Sequence, residues 1–128
     1  MGEDSRTETF VSVNNPNNIM YERFNVTTFI DTDATTATVT VADEDVDFTS
    51  AEILQSLAVA KGTTYTKATL TSDSTTNVTF KMSADGGSHW ESVTSGTQHT
   101  FTNTGTDLRY QVTASDTATI GEIKISYE

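Results

Sequence analysis

The run SADGGSHW, residues 83–90, gathers a hydroxyl at Ser83, a carboxylate at Asp85, an imidazole at His89 and the only tryptophan, Trp90. A hydroxyl, a carboxylate and an imidazole are the parts of an activated nucleophile, and an indole is a stacking surface for a sugar ring. The same run also has the makings of a tight hairpin. Asp85 can accept hydrogen bonds from the amides of its own turn, and Gly86 or Gly87 supplies the positive φ that such a turn requires. The spacing favours the second reading: Ser83, Asp85, Gly86, Gly87 and Trp90 form a structural turn, with Trp90 entering the next strand and packing over the sheet.

A second concentration of chemistry lies at Asp43, Asp45 and Asp47, candidate ligands for a structural Ca2+ or Mg2+, with Asp31 and Asp33 near enough in sequence to join them. As an EF-hand the run fails, because Phe48 stands where the turn glycine belongs and Leu54 where the bidentate glutamate belongs. A solvated acidic loop is the expectation, with no cofactor. Catalysis has little else to use. The histidines are His89 and His99, cysteine is absent, and no serine sits in a strand–turn–helix elbow. Acidic residues are plentiful enough for a glycosidase-like carboxylate pair, but enzymes of that class are usually larger and bring many aromatics to a cleft. The expectation is a protein that is not an enzyme.

The elements that must position these residues read as strands. Threonine occupies 27 of 128 positions and proline one, Pro16, a composition suited to pleated surfaces with one wet face. Val78, Phe80 and Met82 alternate with polar neighbours, as do Leu108, Tyr110 and Val112, and Ile123, Ile125 and Tyr127. Further strands are expected over Phe24–Ile30, Ala37–Val41, within 52–60, and over Tyr65–Thr71, Trp90–Val93 and His99–Thr102. Turn signals fall at Lys61-Gly62, Ser72-Asp73, Ser95-Gly96 and Thr104-Gly105. Short strands without helical spacers predict an all-β fold, an antiparallel β-sandwich of jelly-roll type. Residues 1–18, ending in the turn-rich NNPNN, read as an N-terminal arm, and 19–128 as the sandwich domain.

The net charge is −11. Such a field repels phosphates and anionic lipids, so neither nucleic acid nor membrane is an expected partner. The same acidic balance suits a protein from a halophilic or marine source, kept soluble in concentrated salt, and equally serves plain solubility. MGEDSRTETF has no apolar run of the kind a signal peptide carries.

Ser83-x-Asp85-x-Gly87-x-x-Trp90 resembles the Asp-box, a hairpin motif of sialidase propellers and other β-folds, in which it is structural. More of the chain, roughly 52–128, resembles small β-sandwich domains of structural proteins in tailed viruses, both bacteriophages and archaeal viruses. The pattern is S-x-D-G-G-x-x-W, then F-x-x-x-G-x-D-L-R-Y and a closing aromatic strand. Here it is carried by Ser83, Asp85, Gly86, Gly87, Trp90, Phe101, Gly105, Asp107, Leu108, Arg109, Tyr110 and Tyr127. The resemblance implies a virion protein, assembled in the host cytoplasm and bound to the major capsid or tail protein. As a capsid decoration or turret protein it would be a homo-oligomer, with a trimer favoured, and Met20, Tyr21 and Phe24 are the expected start of an assembly contact. Arg109 would pair with an acidic neighbour. The alternative is a carbohydrate- or receptor-binding module, including a tail-fibre or baseplate component, that stacks ligands on Trp90 with Tyr21 or Tyr65.

Overall fold

The computed structural model describes residues 18–128. The arm expected over 1–18 therefore lies outside the described residues except for Asn18, which already belongs to the first strand. Ten strands follow: β1 (Asn18–Glu22), β2 (Thr38–Thr40), β3 (Asp45–Phe48), β4 (Ile53–Gln55), β5 (Ala60–Ser72), β6 (Val78–Ser83), β7 (Glu91–Val93), β8 (Gln98–Ala114), β9 (Ala118–Ile120) and β10 (Ile123–Tyr127). The fold is all-β, and every strand pair is antiparallel. A seven-stranded sheet runs β1-β10-β5-β8-β6-β7 with β4 also on β8, and a three-stranded sheet runs β2-β3-β9.

The 17-residue β8 organises the molecule. Its first part pairs with β5, from Gln98 opposite Thr69 to Leu108 opposite Ala60. Its second part pairs with β6, from Arg109 opposite Ser83 to Ala114 opposite Val78, and carries β4 on the other side. Leu108, Tyr110 and Val112 point inward with Phe80 and Met82, as their alternation predicts, and Ile123 and Ile125 close the core from β10. All seven are at most 5% exposed.

Several expectations need correction. His99–Thr102 and Leu108–Ala114 belong to one strand, because Thr104-Gly105 is not a turn. Lys61-Gly62 lies inside β5, where Gly62 takes φ 106° at a register shift against β8. Phe24–Ile30 is not a strand: Phe24 has φ 58°, and the chain turns there to send its ring into the core. Met20 and Phe24, expected at an assembly contact, are both fully buried in the core and offer no surface to a partner. Only Tyr21 of the three keeps some exposure, with the Arg23 guanidinium 5.2 Å from its ring centroid.

Candidate functional site

The hairpin between β6 and β7 is built around one hydroxyl and one carboxylate. Ser83 Oγ donates to Asp85 Oδ1 at 2.7 Å and accepts from the amides of Gly87 at 2.9 Å and Asp85 at 3.3 Å. Asp85 in turn accepts from the His89 amide at 2.9 Å and meets His89 Nδ1 at 2.7 Å. Gly86 and Gly87 carry φ of 75° and 95°, values that a side chain would strain. The Trp90 indole lies against Gly87, where a Cβ would stand 3.5 Å from Cζ2. All five residues expected to form the turn are therefore brought together.

The turn rests directly on β8. Gly86 N donates to Asp107 O at 2.9 Å and Asp107 N to Ala84 O at 3.0 Å, a parallel bridge between Asp85 and Asp107. Gly105 sits beneath: a Cβ there would fall 2.5 Å from the Ala84 oxygen and 2.7 Å from the Asp85 Cα. The glycine that resembles a turn signal is in fact a point of close backbone approach within a strand. Beside it, Arg109 grips Asp107 through two hydrogen bonds of 2.8 and 3.1 Å, and Lys61 approaches the same carboxylate at 3.8 Å. The pairing of Arg109 with an acidic neighbour is as expected, and it holds Asp107 below its ordinary range.

These contacts decide what the cluster can do chemically. Ser83 is fully buried, its hydroxyl is engaged on both sides, and the carboxylate stands between serine and imidazole. In a nucleophilic triad the imidazole must touch the hydroxyl. Here it does not, and Asp85 acts as a turn cap. Burial works to raise the Asp85 carboxyl, but the hydrogen bonds from His89 and Ser83 outweigh it and lower it to about 2.

Among the described residues no three histidine or carboxylate side chains come together as a metal group. Asp45 and Asp47 lie two apart along β3, Asp43 sits in the preceding turn, and Asp47 accepts a 2.7 Å hydrogen bond from Thr119. Partial burial, then the charges of Asp47 and Asp43, push the Asp45 carboxyl up.

The aromatics do not make a stacking platform either. Tyr65 is 3% exposed and packs edge-to-face on Tyr127, with centroids 5.4 Å apart. Trp90 is half-buried against its own turn, and Tyr21 lies on β1, at the opposite end of the strand order from the β6–β7 hairpin.

One organising residue carries no recognisable signal in the sequence. Glu91, at the start of β7, accepts hydrogen bonds from the amides of Thr102 and Asn103 at 3.0 and 2.8 Å, from Asn103 Nδ2 at 3.3 Å, and meets His99 Nε2 at 2.8 Å. It seals an edge of β8 that β6 has not yet reached. Burial opposes ionisation, yet these hydrogen bonds hold its carboxyl at about 2.

Comparison of the chain with family models, with curated proteins and with solved structures finds no match in any of the three.

Proposed function

We propose that the chain is a non-enzymatic structural protein of a tailed-virus particle, a β-sandwich that docks on the capsid shell as an oligomer. The observation that carries this reading is the union of the two parts of the motif. S-x-D-G-G-x-x-W and G-x-D-L-R-Y, twenty-odd residues apart, fold as one unit through Gly105 beneath Asp85 and Asp107 bonded to both Ala84 and Gly86. The residues that give the resemblance are thus spent on architecture, which suits a protein working through its surface. The sandwich is our reading of a seven-stranded and a three-stranded sheet whose buried side chains belong to one hydrophobic core cluster. The buried Tyr65 and the engaged Ser83 speak against the sugar-binding and the catalytic alternatives. The test is to label tailed-virus particles with an antibody raised against this chain and image them. Regular decoration of the head would support the reading; particles without label, alongside free protein in the lysate, would sink it.

A further inference from the structure

The described part of the molecule manages its strand edges unequally. The free side of β4 is occupied by the preceding loop. Thr36 and Ala37 amides donate to Ile53 O at 2.8 and 3.1 Å, Thr36 and Thr35 hydroxyls accept from the Ile53 and Gln55 amides at 2.9 and 3.0 Å, and Asp31 N donates to Gln55 O at 2.9 Å. The far side of β2 has no such cover: the strand pairs with β3 alone. Its open stretch TVTV, residues 38–41, carries no charge and no proline, two of the usual guards of an open edge. Val41 at its end is 42% exposed. Alongside lies a groove of about 230 Å³ with Ile30, Ala37 and Val39 as its apolar lining and Thr27, Thr32 and Thr35 around it. That space takes one or two aliphatic side chains.

Charge says what fits there. From Phe24 to Ala60 the chain has seven acidic residues and not one lysine, arginine or histidine. Asp33 stands exposed between the groove residues Thr32 and Thr35; Asp43 and Glu44 stand exposed in the turn that follows β2. On the neighbouring β3, Asp45 opposite Thr40 and Asp47 opposite Thr38 add to the negative charge beside the strand. A second copy of this chain would bring the same charges against them. A cationic segment would relieve them.

We infer that the outer edge of β2, with the Ile30–Ala37–Val39 groove, is a docking edge for an extended, lysine- or arginine-flanked segment of another protein, added as a strand. Backbone hydrogen bonds along the edge supply affinity, an aliphatic side chain in the groove sets register, and the flanking cations face Asp33 at one end and Asp43 and Glu44 at the other. The inference stands whether or not the partner belongs to a virus particle.

The probe is a synthetic heptapeptide of alternating Val and Thr with Lys at both ends, titrated into the 15N-labelled full chain; its counterpart ends in Glu. Shift changes confined to residues 27–41, weakening as salt rises from about 0.05 to about 0.5 M, and absent with the Glu peptide, are expected. Val41→Lys, at an exposed position outside the core, should weaken binding about tenfold, while Lys81→Glu on β6 should leave it unchanged. Equal binding of the two peptides, shifts mapping elsewhere, or no shifts at millimolar peptide would overturn the inference. So would concentration-dependent shifts at 35–41 without peptide, which would make the occupant a second copy.

Discussion

Gly105 lies so close to Asp85 that a methyl group on it would fall 2.7 Å from the Asp85 Cα and 2.9 Å from its Cβ. Neither neighbour is the loose end of a flexible chain, so the clash can be relieved only by moving the hairpin off β8. Gly105→Ala should therefore cost about 2–3 kcal/mol of stability, read as a drop in the urea midpoint at constant slope. Gly96→Ala, which meets nothing within 4 Å but has φ 84°, should cost about 1 kcal/mol from backbone strain alone. Equal costs at the two positions would mean that the hairpin is not seated on β8 as described.

Glu91 holds two backbone amides of β8 that no strand pairs. Glu91→Ala leaves the part-buried Asn103 amide without its acceptor, while water can reach the exposed Thr102, and should cost about 1–3 kcal/mol. Glu91→Gln keeps one acceptor oxygen and should cost less. Amide exchange at Thr102 and Asn103 should accelerate more than at Val112 or Ala114, inside the paired part of β8, which separates a local opening from a global loss.

Acid should destabilise the fold through Asp85 and Glu91. Their folded carboxyls sit at about 2, against ordinary values of 3.8 and 4.5. The unfolded chain therefore binds protons first as pH falls, and the stability these groups contribute, complete above about pH 4.5, is lost progressively toward about pH 2. Urea midpoints should fall across that window. In Glu91→Gln the slope should be visibly shallower, and an unchanged slope would remove Glu91 from the account.

Tyr110 presents the opposite case. Its hydroxyl is buried without a hydrogen-bond partner, and burial, then the charge of nearby Glu22, holds its ionisation well above 10. Tyr110→Phe removes an unsatisfied polar group with little change of shape. It should leave stability unchanged or raise it by about 1 kcal/mol, although Tyr110 is the largest fully buried side chain among the described residues. A loss above about 2 kcal/mol would show that the hydroxyl is bonded, through a buried water or otherwise.

The inward face of the sheets was legible because alternation encodes it: Phe80 and Met82, Leu108 to Val112, and Ile123 with Ile125 all point where their period places them. The hairpin was legible for a different reason, since Ser83, Asp85 and Gly87 bond to one another within five residues. What escaped is what depends on distant partners. Gly105 resembles a turn signal until Asp85 is seen above it, and Glu91 resembles a solvated charge until Thr102 and Asn103 arrive from β8. Met20 and Phe24, next to a polar N-terminal segment, read as surface, but Met20 pairs with Ile125 on β10 and both lie in the core. The bare edge of β2 left no mark in the sequence beyond its lack of charge.

The central claim is an oligomeric particle component, and the solution mass of the full chain tests it most directly. Light scattering behind size exclusion, at low and at molar salt, should give three times the 13.9 kDa chain mass in at least one condition, with Trp90 emission indifferent to soluble sugars. A 13.9 kDa monomer in both conditions, with Trp90 emission quenched by sugars, would contradict the account and make the chain a free carbohydrate-binding module.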